Sequence, residues 1–284
     1  MNALLDTCAL THVLNDPARL ERFESLVKRE GWRLVVPSAA LDELFVPDNA
    51  ELLSTTIESL LRLDTSLGSQ LAFAQPQVVI WNRELAGEVG ALPVLSVSDR
   101  SGLLRMLRNA LQSEGLDPVS RFRDVRATVR AWRAARRETG GVVRTRAREG
   151  NLFATLRPED VKTELELARP AQLSWLVDRL AGAEDTDLDL TDGRRCPAVK
   201  TWVGLTFMSM WAETLPSRFG AGDPYFEMLE PDRNDFFDAA LTSPAGYCDR
   251  FITRDRRLLL RCRHLNRVSW VPFATDHLVE DLGI

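Results

Sequence analysis

Short apolar runs that stop abruptly at a polar residue alternate, over the first 82 residues, with longer stretches of helical period. Residues 3–6 and 33–36 are continuous rather than alternating apolar runs, the pattern of strands buried on both faces. Between them, residues 17–30 carry Pro17 at the first turn and Gly31 just past the last, which predicts a helix. Helices follow over 39–45 and 50–63. Residues 77–81, β-branched and bounded by Pro76 and Asn82, read as a third strand. Strand and helix in alternation argue for a parallel sheet, hence an α/β protein.

The period then lengthens. Residues 98–114 open on Ser98-Asp99 as a capping pair and end at Gly115, and residues 117–138 run from Pro118 to the Gly140-Gly141 pair. Residues 172–183 and 198–215 also read as helices, with an acidic, solvated loop over 184–189. The α/β pattern resumes at Asp232: a helix over 232–247, a buried strand over 251–253 and a last strand over 268–271. We read a discontinuous sheet domain, residues 1–82 and 231–284, interrupted by a mostly helical insertion over 83–230.

The chain has 284 residues, 45% of them hydrophobic and 27% charged, the composition of an ordinary globular protein. Met1-Asn2-Ala3 lacks the basic flank of a secretory signal, and the longest apolar stretch, 201–212, is too short to span a bilayer. Cys8, Cys196, Cys248 and Cys262 have no paired spacing, so a cytoplasmic protein with reduced thiols and no membrane partner is expected. The net charge of −5 hides an asymmetry. Residues 100–148 hold 13 Arg against 4 acids, which leaves −14 for the rest. Within that segment Arg123, Arg126, Arg130, Arg133 and Arg137 recur at i+3 and i+4 and form one helical stripe. Such a stripe is either a solvated face paired with the chain's own acids or a ridge that tracks a phosphate backbone.

Four acids stand at chemically suggestive places. Asp6 ends the first apolar run, Glu43 follows the second, Asp235 opens the helix after Asn234, and Asp255 closes the run Phe251-Ile252-Thr253-Arg254. In a parallel sheet the carboxyl ends of the strands share one edge, where α/β proteins build their sites. Four carboxylates there repel one another unless a divalent cation holds them, and a hard oxygen donor set suits Mg²⁺ or Mn²⁺. Metal-assisted hydrolysis of phosphodiesters is the chemistry this implies. Thr253 and Asp255 are an even spacing apart and so share a side of an extended chain. Asp249, at the start of the same strand, belongs to the opposite edge. His12, His264 and His277 are scattered, and no Gly-rich phosphate loop occurs.

The order Leu5-Asp6-Thr7, Val36-Pro37-Ser38 with Glu43-Leu44, Asn234-Asp235, and Phe251-Ile252-Thr253-Arg254-Asp255 resembles the PIN-domain nucleases, over 1–82 and 231–273. That resemblance implies a three-layer α/β/α fold with a central parallel sheet, an acidic site for Mg²⁺ or Mn²⁺ made by Asp6, Glu43, Asp235 and Asp255, and endoribonuclease activity leaving 5′-phosphate and 3′-hydroxyl ends. It favours Glu43 over Asp42 and Asp235 over Asp238, which with Thr253 becomes a supporting residue. Where the family often carries Asn or Ser, this chain has Cys8. Nucleic acid, RNA above all, is the expected partner, with a second copy of the chain or an inhibitor protein left open. The rival readings are a structure-specific DNA nuclease, a catalytically silent PIN-like module that binds RNA or protein, and an insertion that serves only oligomerisation.

Overall fold

Five short strands form one parallel sheet in the order β3-β2-β1-β4-β5: β1 (Asn2–Leu5), β2 (Arg33–Val36), β3 (Leu71–Phe73), β4 (Arg250–Thr253) and β5 (Ala274–His277). These come from a computed structural model, which describes residues 1–88, 90–112, 118–149, 156–167, 196–215 and 219–284. β1 and β2 past their first residues, and all of β3, are apolar because both faces of the sheet are covered. Leu4, Val35 and Phe251 enter one hydrophobic core, while their neighbours Ala3, Leu5, Leu34, Val36 and Ile252 enter a second on the other side.

The helices, in chain order, are α1 (Thr7–Leu14), α2 (Pro17–Glu30), α3 (Ser38–Leu44), α4 (Ala50–Leu67), α5 (Gln77–Leu85), α6 (Val97–Gln112), α7 (Pro118–Arg121), α8 (Arg123–Glu149), α9 (Val161–Leu167), α10 (Pro197–Thr214), α11 (Pro224–Leu229), α12 (Asp235–Thr242) and α13 (Arg256–Arg267). Helix α2 has the expected bounds: Asp16 caps it, accepting from Ala18 and Arg19 N–H, and Gly31 leaves it at φ +63°. Residues 83–230 contribute to both cores, Leu104, Leu107 and Phe122 to one and Val161, Val199, Trp202 and Trp211 to the other. Helix α10 is buried on nearly every side, as an apolar helix without a polar face must be. The readings 172–183 (helix) and 184–189 (loop) lie outside the described residues.

Three expectations are corrected. Residues 77–81 are helix α5, not a strand, and the third strand is β3, six residues earlier. The run Gln-Val-Val-Ile-Trp follows Pro76 and buries Ile80, Trp81 and Glu84, a helical face, while Val78 and Val79 stay exposed. Glu84 is needed there: its two carboxylate oxygens accept from Ala198 and Val199 N–H, both at 2.8 Å, and so satisfy the first turn of α10. Second, Gly140-Gly141 does not stop a helix; α8 runs through it to Glu149. A Cβ on Gly140 would lie 2.7 Å from the Phe236 ring, so this glycine serves close packing of α8 on α12. Third, residues 268–271 form a turn, with Ser269 at φ +60°, and the last strand is β5. The helix expected over 232–247 begins at Asp235 and tightens to a 3₁₀ turn from Ser243, just before Pro244. Among the described residues no helix is long and apolar enough to cross a membrane.

Candidate functional site

The strand order reverses between β1 and β4: the chain moves outward through β2 and β3 on one side and returns to β4 and β5 on the other. At such a reversal, helices leave the sheet in opposite directions and open a crevice beyond the carboxyl ends of the strands. Asp6 directly follows β1, and Asp255 follows β4 by two residues. A cleft of about 230 Å³ lies there, lined by the acids Asp6, Glu43, Asp238 and Asp255, by Cys8, and by Arg133 and Arg137.

Each acid is held differently. Asp6 is almost fully buried; its Oδ2 accepts from Thr253 Oγ at 2.6 Å and from the Cys8 thiol at 2.7 Å. Thr253 is wholly buried and also accepts from Asp255 N–H at 2.9 Å, so one hydroxyl links the ends of β1 and β4. Asp255 caps α13 by accepting from Leu258 N–H at 2.9 Å. Burial raises the Asp6 pKa, the bonds from Cys8 and Thr253 oppose that, and the Asp255 charge adds to it. Burial likewise raises Asp238 well above the ordinary carboxylate range, reinforced by the charges of Asp6, Asp255 and Asp235 and eased by Arg257. The Cys8 thiol is pushed up by burial and by Asp6, so it serves as a hydrogen-bond donor. Asp42, half-buried and without a partner among the described residues, has its pKa raised by burial to about 6 and does not line the cleft.

Asp235 is elsewhere. It points toward α13 and pairs with Arg261 at 2.9 Å and Arg257 at 3.6 Å, while accepting from Asp232 N–H at 3.1 Å. One helical turn later, Asp238 turns to the cleft. The cleft therefore brings together Asp6, Glu43, Asp255, Asp238 and, behind Asp6, Thr253, and leaves Asp235 out.

The arginine stripe of α8 lies across this site, and most of it is paired with the chain's own groups. Arg126 and Arg130 bind Asp48, the latter at 3.3 Å, and Arg126 also donates to Val46 O at 3.1 Å. Arg133 pairs with Glu43 and stacks over Phe237 at 5.2 Å. Arg137 donates to Asn234 Oδ1 at 3.0 and 3.2 Å. Arg123 is exposed, without an ion pair among the described residues. Trp132 packs edge-on against Phe237 at 5.0 Å and seats the helix. The role of Arg133 and Arg137 in lining an acidic cleft was hidden in sequence, because the stripe spacing is the same whether its partners are inside or outside the chain.

Among the described residues no three His, Cys, Asp or Glu side chains are arranged to hold a metal ion as they stand. The donor chemistry still fits a hard cation. Asp6, Asp238 and Asp255 carry no ion pair among the described residues; the charge of Asp255 disfavours ionisation of Asp6, and those of Asp6 and Asp255 disfavour ionisation of Asp238. Set against protein-family models, curated proteins and solved structures, the chain matches none.

Proposed function

We propose that this protein is a PIN-like, metal-dependent endoribonuclease whose site is the cleft at the strand-order reversal. The observation that carries the reading is the group Asp6, Asp238 and Asp255: three carboxylates that line one cleft beyond the sheet edge, none of them in an ion pair among the described residues. Such a group is costly to the fold, and a divalent cation is the simplest relief. On this reading Asp238 takes the part that the family resemblance gave to Asp235. The cores on both faces of the sheet agree with a three-layer α/β/α arrangement.

Bound Mg²⁺ or Mn²⁺ would supply Lewis-acid charge beside a scissile phosphate. The chain's own residues do the rest. Asp6, held by Thr253 and Cys8, is a fixed ligand, with Asp238 and Asp255 beside it. Arg133 and Arg137 sit on the rim, where their planar forks can orient a phosphodiester that the acids alone would repel.

A second reading has one observation in its favour. Glu43 is already neutralised by Arg133, as in a module that binds RNA or protein without cleaving. The experiment that separates them incubates labelled single-stranded RNA and DNA with the wild type and an Asp6→Asn/Asp238→Asn variant, with Mn²⁺ or EDTA. The nuclease reading expects RNA cleavage that needs metal and disappears in the variant. Cleavage of DNA instead would move the substrate, and a folded protein inert toward both polymers would leave the binding module.

A further inference from the structure

A nuclease with an acidic cleft needs a cationic surface near it, and of the α8 stripe Arg126, Arg130 and Arg133 are already paired with the chain's own acids. The other side of the cleft differs. Arg254 stands between Thr253 and Asp255, and its backbone N–H meets Cys8 Sγ at 3.4 Å, so it borders the cleft directly. Its exposed guanidinium donates to His12 Nδ1 at 2.8 Å. Arg19 donates to that same nitrogen at 2.9 Å, and to His12 O at 3.3 Å.

The chain itself offers these two cations few acceptors. A guanidinium only donates, and an imidazole nitrogen offers one lone pair. Two cationic forks therefore compete for a single acceptor. His12 must carry its proton on Nε2, which faces Ile284 O at 3.3 Å. Burial, then the charges of Arg254 and Arg19, hold the ring below its ordinary pKa, so it stays neutral. Arg19 is partly compensated by Asp16 at 3.3 Å, whereas Arg254 has no carboxylate partner among the described residues. An oxyanion with several acceptor oxygens would satisfy both forks at once.

We propose that Arg254 and Arg19, drawn together by the shared His12 Nδ1, form a phosphate-binding site that takes a phosphate of the RNA strand flanking the one in the cleft. The assignment of the strand rests on the nuclease reading; the oxyanion chemistry does not. The site fixes the strand next to the acids and offsets their repulsion, and it has no part in bond breaking.

The test is binding in EDTA, where no cleavage interferes. Fluorescence anisotropy would follow a labelled 12-nucleotide RNA, with 5′-hydroxyl or 5′-phosphate, on wild type, Arg254→Gln, Arg254→Lys and Arg108→Gln. Arg108 is an exposed α6 residue without an ion pair among the described residues and controls for loss of one charge anywhere. Expected for Arg254→Gln is an affinity loss of about ten-fold or more. The slope of log affinity against log salt should flatten by about 0.7, the value for one contact to a single strand. Arg254→Lys should fall between, keeping charge but losing the fork. Equal losses for both RNA ends identify an internal phosphodiester, and a loss confined to the 5′-phosphate form identifies an end phosphate; both support the site. Unchanged affinity and slope in Arg254→Gln, or the same loss in Arg108→Gln, overturns it. A protein that binds through Arg254 and never cleaves would retain the site and refute the nuclease.

Discussion

Asp235 and Asp238 sit one turn apart on α12 and meet opposite fates. Asp235 is buried against Arg261, whose remaining donors are taken by Met228 O at 2.8 Å, Glu230 O at 3.1 Å and Ser209 Oγ at 3.3 Å. That pair ties α10, the end of α11, α12 and α13 together. Asp238 instead faces Asp6 and Asp255 and has no ion pair among the described residues. A buried carboxylate with a saturated cation beside it is part of the framework. A carboxylate among other carboxylates strains the framework, and strain of that kind is what a ligand can relieve.

The largest effect expected from this contrast is on stability. Asp235→Asn leaves Arg261 buried and without its counter-charge, and should cost about 3–5 kcal/mol in urea unfolding. Replacing both partners, as Asp235→Leu with Arg261→Met, should recover only part, because the carbonyls of Met228 and Glu230 then lose their donor. A loss below about 1 kcal/mol for Asp235→Asn would abolish the distinction between the two acids.

The acids of the cleft were legible in sequence because of where the apolar runs stop. A strand buried on both faces is a block of apolar residues, and the first acid beyond it marks the carboxyl edge; Asp6 and Asp255 follow from that alone. The choice between Asp235 and Asp238 was not legible. Both fall on one side of a helix by spacing, and what turns Asp235 away is Arg261, some 26 residues later. The strand-like run 77–81 and the glycine pair 140–141 misled for a related reason. Local propensity favoured a strand and a stop, and tertiary packing against α10 and Phe236 decided otherwise.

A buried histidine gives the next largest effect. His264 lies on α13, close to the Asp235 framework, with Arg267 donating to its Nδ1 at 2.8 Å. Burial first, and then Arg267, lower its pKa to about 4. A base depressed in the folded state contributes its full stability above the unfolded pKa of about 6.5 and loses it as pH falls toward 4, up to about 3 kcal/mol. Urea midpoints at pH 7.5 and 5 should therefore differ, and His264→Gln should flatten the difference whatever it does to the absolute value. Asp238 acts with the opposite sign. Its raised pKa means stability lost as pH rises above the ordinary carboxylate range. A pH slope that survives His264→Gln intact would assign the titration elsewhere.

Asp238→Asn should then do what Asp235→Asn cannot: raise stability without metal, by about 1 kcal/mol, through relief of like-charge repulsion. The same change should reduce metal-dependent cleavage by about a hundred-fold or more. Melting temperature and cleavage rate measured on one preparation give both readings. If stability falls as far as for Asp235→Asn, Asp238 belongs to the framework and the cleft loses its central argument.

Asp255 holds an intermediate position, and the smallest expected effect makes it the finest probe of the contrast. It faces the cleft acids, yet its Oδ1 caps α13 through Leu258 N–H and its own N–H donates to Thr253. Truncation to Ala would remove a cap worth about 1 kcal/mol and at the same time relieve repulsion, so its sum would teach little. Asn separates the two, because it caps a helix as well as Asp does but carries no charge. Asp255→Asn should therefore leave the urea midpoint within about 0.5 kcal/mol of the wild type, or slightly above it. Metal dependence supplies the second axis. Added Mn²⁺ should raise the melting temperature of the wild type and do so less for Asp255→Asn, since a bound cation stabilises in proportion to its affinity for the folded state. A variant that responds to Mn²⁺ as the wild type does would show that Asp255 serves the helix alone, on the Asp235 side of the contrast.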